Sequence, residues 1–94
     1  MYRLLVSNSA HRSLKKLPRK VREDLLAATQ ELETNPYAGE RLSGSLNFLY
    51  SLHCKLNNVE YRVAYTINTE GQAVVVHLVH TRENFYDKLR RLFH

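Results

Sequence analysis

The sequence predicts an α+β domain. A helical hairpin packs on one face of a twisted, mainly antiparallel four-stranded sheet in the order β-α-α-β-β-β, with a short C-terminal helix. Three observations lead there. Between Ala10 and Leu32 the apolar residues recur at helical spacing. From Phe48 to Val79 they alternate at period two or run together as in a covered strand. The breaks at Asn57-Asn58 and at Asn68 to Gly71 are too short for crossovers, so the strands they join are antiparallel neighbours. At 94 residues the chain is expected to form one domain spanning 1–94, with its functional groups on a face or in a shallow groove.

Residues 2–7 read as the first strand, with Tyr2, Leu4 and Val6 alternating against Arg3, Leu5 and Ser7. Ser9 is the expected N-cap of a first helix whose Ala10, Leu14 and Leu17 repeat at i, i+4, i+7. Pro18 ends that helix or opens the next. From Arg19 to Leu32, Val21, Leu25, Ala28 and Leu32 keep helical spacing, and Leu26 and Thr29 widen the stripe. Asn35-Pro36 and Gly39 close it. The strand from Phe48 to Leu56 places Phe48, Tyr50, Leu52, Cys54 and Leu56 on one face and Leu49, Ser51, His53 and Lys55 on the other. In the next strand Tyr61, Val63, Tyr65 and Ile67 alternate with Arg62, Ala64, Thr66 and Asn68. Residues 73–79 are the most apolar and are placed centrally. The last helix starts at about Glu83, with Phe85, Leu89 and Leu92 as its stripe and Phe93 beside it.

The net charge is +5 and the chain is basic, which favours an acidic partner: nucleic acid, a membrane surface or an acidic protein. The charge is segregated. Residues 1–22 carry seven basic groups and no acid, residues 23–40 carry five acids and no base, and residues 41–94 are basic again. The acidic belt falls on helix and loop positions and reads as solvated surface. A lone Cys54 excludes an internal disulfide and offers no zinc cluster. No charged leader precedes an apolar segment, and the run from Ala73 to Val79 is far short of a membrane span. A reducing cytoplasm, with no membrane partner, is the expected location.

On the meander, Ser51, His53, Lys55, Arg62 and Thr66 share the face opposite the aromatic set. A guanidinium in mid-strand offers a planar fork suited to phosphate, and histidine is the side chain type that titrates near neutrality. His80 and Arg82 end the last strand, and Tyr86 follows on the helix. Together they fit metal-free cleavage of RNA. A base takes the 2′-hydroxyl proton, cations steady the phosphoryl oxygens, and an acid protonates the departing 5′-oxygen. No carboxylate pair or His/Cys cluster points to a metal, and no cofactor is expected. Plainer roles stand beside these. His53 and Lys55 on an exposed strand are more often solvated than catalytic. Arg62 has Glu60 or Glu83 as structural partners, and Tyr86 can cover a helix edge. His77 reads as a hydrogen-bonded core residue, and His11 and His94 as surface groups. The cluster Arg12, Lys15, Lys16, Arg19 and Lys20 either contacts RNA or forms the outer face of two helices. The residues alone lead to a basic α+β nucleic-acid-binding domain.

Several segments carry a resemblance that spans nearly the whole chain. They are Leu42-Ser43-Gly44, Tyr50 to Lys55, Glu60 to Tyr65 and His80 to Tyr86, with Ser9-Ala10 and Leu14-Lys15-Lys16-Leu17 in the first helix. In order and spacing they resemble the RelE/ParE superfamily of toxins from toxin–antitoxin modules. Resemblance to the RelE branch implies an endoribonuclease, an mRNA interferase, that enters the ribosomal A site and cuts translated mRNA without a metal. By position, Arg62 matches the mid-strand arginine on phosphate, and Arg82 matches the arginine ending the last strand. Tyr86 falls near the C-terminal aromatic that stacks on or orients a base. His53 and Lys55 lie on the strand that carries basic groups. Ser51 stands where some members have lysine, which favours His53 or His80 for proton transfer. The ParE branch instead implies a DNA gyrase inhibitor that cleaves nothing. A non-catalytic RNA-binding module is a third reading. The family also implies an antitoxin, acidic or amphipathic, that occupies the basic face or displaces the C-terminal helix.

Overall fold

The two periodicities resolve, in a computed structural model that describes residues 1–93, into helices and a mixed sheet. His94, expected at the surface, lies outside the described residues. The elements are β1 (Arg3–Val6), α1 (Asn8–Lys15), α2 (Arg19–Thr29), β2 (Glu40–Arg41), β3 (Tyr50–Leu56), β4 (Val59–Asn68), β5 (Ala73–Thr81) and α3 (Phe85–Leu92). Among the described residues the sheet has five strands in the order β1-β5-β4-β3-β2. The expected class and the β3-β4-β5 meander are present, but the count of four strands is corrected to five. The added strand, β2, pairs only Glu40 with Ser51 and Arg41 with Tyr50, too short a stretch to show a period. β1 runs parallel to β5, so the sheet is mixed. Two asparagines at positive φ, Asn57 (51°) and Asn58 (65°), make the tight β3–β4 turn.

The start of α1 differs from the expectation. Ser7, not Ser9, is its N-cap, accepting from the Ala10 amide at 3.2 Å. Ser9 has other work, because β1 stops pairing with β5 at Val76 and leaves the rest of that edge bare. The Ser9 hydroxyl donates to the His77 carbonyl at 2.7 Å. Ser13 accepts from the Val79 amide at 3.1 Å. These two hydroxyls dock α1 along β5. α2 ends at Thr29 and tightens into a 3-10 turn over Gln30–Glu33, which carries the helical spacing on to Leu32.

Both helices and the 3-10 turn bury Ala10, Leu14, Leu25 and Leu32 against Leu52, Val63, Tyr65, Val74, Val76 and Val79. A second, smaller core lies on the opposite face. There α3 and the loop before β3 bring Phe85 and Leu89 against Leu46, Leu49, Ala64 and Leu78. The reverse face is therefore partly covered rather than open. Leu92 does not join this core (it is 37% exposed), while Phe93 packs on it. Phe48 lies before β3 and meets Phe93 edge-on at 5.2 Å. The β4–β5 register shifts where Ala64 faces Leu78 and Tyr65 faces Val76, which leaves His77 between them without a strand partner. On the helix side, the buried Tyr65 hydroxyl donates to the Pro36 carbonyl at 2.8 Å and accepts from the Gly39 amide at 3.0 Å. Gly39 sits so close that a Cβ there would lie 2.6 Å from that hydroxyl and 2.7 Å from the Ser51 carbonyl.

Candidate functional site

α3 covers only part of the reverse face, and the candidate residues collect on the part it leaves. Strand register sets His53, Arg62 and His80 side by side across β3, β4 and β5. Arg62 is the centre. Its side chain is only 13% exposed, and its Nε and Nη2 each lie 3.2 Å from Glu60 Oε2. Its Nη1 donates to the Tyr86 hydroxyl at 3.1 Å, and its guanidinium carbon is 5.7 Å from the centre of the Tyr86 ring. Of the two partners weighed for Arg62, the structure selects Glu60. Tyr86 thus does more than cover a helix edge.

The turn into α3 produces this contact. Asn84 takes a left-handed conformation, φ 62°, which asparagine tolerates better than most residues. Phe85 then turns wholly inward and Tyr86, 40% exposed, turns toward Arg62. The Arg82 amide donates to the Glu60 carbonyl at 3.0 Å, fixing the end of β5 beside the Arg62–Glu60 pair. The Arg82 side chain is exposed at the margin. His80 Nδ1 lies 3.1 Å from the Thr81 carbonyl, a contact an Nδ1–H makes, so a neutral ring presents Nε2 as an acceptor. His53 and Lys55 are exposed on β3, and Lys55 lies opposite Glu60 in register.

Ser51 does not share the exposed polar surface expected of it. It is 1% exposed, and its hydroxyl has no hydrogen-bond partner among the described residues. β2 and the second core close over it, which the alternation of β3 could not reveal. Glu60 is the site group that the sequence reading considered only as a counter-ion. Its signal was its place two residues before Arg62, which puts both side chains on one strand face.

The basic cluster of the first two helices is divided. Arg19 pairs with Glu23 at 3.0 Å and Lys20 with Asp24 at 3.2 Å, so part of the acidic belt neutralises part of the basic arm. Lys15 is exposed at the end of α1, while Arg12 and Lys16 line a groove beside α3. His11 is exposed. His77 is half-buried, with Nε2 2.9 Å from the Thr66 hydroxyl, and burial lowers its pKa. Burial raises the pKa of the Cys54 thiol, with the Glu31 carboxylate adding to the effect, so that group is a poor nucleophile. Among the described residues no three His, Cys, Asp or Glu side chains are grouped to hold a metal ion, and no helix is long and apolar enough to cross a membrane.

Known proteins extend this picture. Among solved structures, the RelBE2 toxin–antitoxin complex of Mycobacterium tuberculosis contains a chain similar to this one at 26% identity and a TM-score of 0.78, covering 86% of this chain and 98% of that one. The free E. coli toxin RelE, as a double arginine-to-alanine mutant, is 26% identical with a TM-score of 0.74 over 96% of each chain. The intact E. coli RelBE complex gives 26% identity and a TM-score of 0.71, over 88% of this chain and 99% of the other. No protein with a curated description matches the chain. The family model described as the ParE-like toxin of type II bacterial toxin–antitoxin system matches residues 4–90, from β1 into α3. Fold and sequence therefore agree: the chain belongs to the RelE/ParE family, a toxin of a type II toxin–antitoxin system.

Proposed function

We propose that this toxin is a ribosome-dependent mRNA interferase, a metal-independent endoribonuclease that cleaves translated mRNA in the A site and so inhibits translation. The supporting observation is the Arg62 fork, held by Glu60 and Tyr86 in a row with His53 and His80. Glu60 fixes the Nε edge of the guanidinium. Tyr86 can release Nη1 to a phosphate and keep its exposed ring for a base. One of His53 and His80 takes the 2′-hydroxyl proton, the freed oxygen attacks phosphorus, and the other protonates the departing 5′-oxygen. The products are a 2′,3′-cyclic phosphate and a 5′-hydroxyl. Arg62 and Arg82 stabilise the charge on the non-bridging oxygens, and Lys55 adds to the field. Arg12, Lys15, Lys16, Arg19 and Lys20 are placed against ribosomal RNA phosphates. The similar RelBE structures are toxin–antitoxin complexes, which supports a cognate antitoxin as the partner that restrains this toxin.

Primer extension on mRNA from expressing cells tests this reading. New 5′ ends within codons are expected, and they disappear in Arg62→Ala and Arg82→Ala while circular dichroism is unchanged. Continued cleavage and growth arrest by the double variant overturn it. The ParE-like description of the matching family model favours a second reading, a DNA gyrase inhibitor without nuclease activity. Stalled gyrase–DNA complexes alongside intact mRNA would decide for that one.

A further inference from the structure

α3 has two outer faces. Lys88 and Arg91 flank the groove it shares with α1, whereas Tyr86 and Arg90, one helical turn apart, border a separate cleft. That cleft holds about 510 Å³, and its other wall is Glu40, Arg41 and residues 42–46 of the loop between β2 and β3. Tyr86 joins it to the Arg62 site. The Arg62 guanidinium carbon lies 5.7 Å from the centre of the Tyr86 ring. A phosphate on Arg62 therefore sets the base joined to it beside Tyr86, at the mouth of the cleft.

The walls are polar, and their cations are already engaged. Arg41 Nε donates to the Asn47 carbonyl at 2.7 Å, and Arg90 pairs with Asp87 at 3.1 Å. Ser43 precedes the 3-10 turn over Gly44–Leu46 without capping it, which leaves its hydroxyl free. Gly44 takes a left-handed conformation, φ 69°, and a Cβ there would meet nothing within 4 Å, so the crest of the loop faces open space. Glu40 is exposed and, among the described residues, pairs with no cation. Its register partner is Ser51, so its side chain stands on the sheet face that also carries His53, two residues along β3.

An unpaired carboxylate repels a phosphate but reads a base edge as a pure acceptor. Its two oxygens accept side by side. Guanine presents two donors side by side, N1–H and the N2 amino group. Adenine and cytosine set one amino donor next to a ring-nitrogen lone pair, which a carboxylate repels. Uracil sets one N–H between two carbonyls.

We infer that this cleft is a guanine subsite, in which Glu40 reads the base edge while Tyr86 stacks on its face. The inference rests on the nuclease reading for RNA as the ligand. It goes beyond that reading by naming the base next to the cut and the residue that selects it.

The test has two arms, both on the full-length toxin. In the first, sequencing of RNA 5′ ends from expressing cells compares wild type with Glu40→Ala and Glu40→Gln. Wild type is expected to cut beside guanine more than beside uracil. That ratio should fall about tenfold in Glu40→Ala, and less in Glu40→Gln, whose amide oxygen still accepts one bond. The ratio is the readout because a loss of folding or of catalysis lowers both kinds of cut together. In the second arm, calorimetry measures binding of trinucleotides whose 2′-deoxy sugars bar cleavage, with guanine, hypoxanthine or uracil between two uracils. Hypoxanthine keeps N1–H and lacks the amino group. Wild type is expected to bind in the order guanine, hypoxanthine, uracil, about tenfold from first to last, and Glu40→Ala to bind all three alike. A base preference that Glu40→Ala leaves unchanged, or trinucleotides that wild type binds alike, overturns the subsite even where RNA is cut. Guanine-selective binding that depends on Glu40, in cells where no RNA is cut, fails the nuclease reading and leaves the subsite standing.

Discussion

Arg62 is held at Nε and Nη2 by one carboxylate oxygen and at Nη1 by a phenol, so its orientation is set before any substrate arrives. That makes shape, not only charge, the quantity to test. Arg62→Lys keeps the charge but loses the fork, and is expected to cut mRNA cleavage at least tenfold by primer extension. Tyr86→Phe, which keeps the ring, should retain most cleavage, whereas Tyr86→Ala should lose it. The Arg62–Glu60 pair contributes little to the fold, since Glu60 is 36% exposed. Glu60→Gln should move stability by less than about 1 kcal/mol in urea denaturation. His77 gives a pH signature. Burial holds its pKa below the ordinary 6.5, so as pH falls through 6.5 the unfolded chain binds the proton first and stability declines. Urea midpoints measured above and below that pH should show a shallower acid loss in His77→Gln than in wild type. At this scale the sequence was most informative about Arg62, because an arginine amid strand aromatics is costly to place without a purpose. It was least informative about Ser51, whose burial depends on what lies over β3.

Among elements, the turn from Pro36 to Gly39 before β2 is tied to the sheet by the Tyr65 hydroxyl. Tyr65→Phe leaves the Pro36 carbonyl and the Gly39 amide without their shared partner, an expected cost of about 1–3 kcal/mol by urea denaturation. Gly39→Ala should destabilise as well, because backbone and phenol both stand within 3 Å of the new methyl. β3 and β4 were legible because seven or more residues of alternation leave little choice of face, and β5 because its apolar residues run together as in a covered strand. β2 was not, since two residues carry no period. The start of α1 offered two serines, and only the bare edge of β5 explains why Ser7 caps while Ser9 docks.

At the scale of the molecule, the sheet is a wall with a core on each side. Periodicity named the apolar stripe of α3 but not what it covers, which is the second core. Ending the chain after Asn84 should expose Leu46, Leu49 and Leu78, seen as binding of a hydrophobic dye and a less cooperative thermal transition. The net charge of +5 also takes on a shape. Pairs along α2 cancel part of the acidic belt locally, and unmatched cations remain along the groove and at the margin of the Arg62 site.

The unpaired His77 in β5 acts as a parity switch. In an uninterrupted strand, residues 74, 76, 78 and 80 would all point to the α1–α2 side. Because one residue is left out of the ladder, Val79 takes that side instead, and Leu78 and His80 swing to the other. The adjacency of His80 and Arg62 therefore depends on a frame as much as on two side chains. Deleting His77 removes only the extra residue, so Leu78, Val79 and His80 should keep their faces and their partners Ala64, Val63 and Arg62, and cleavage should persist. Deleting Leu78 and keeping His77 in the ladder is not equivalent, because it takes a residue of the second core.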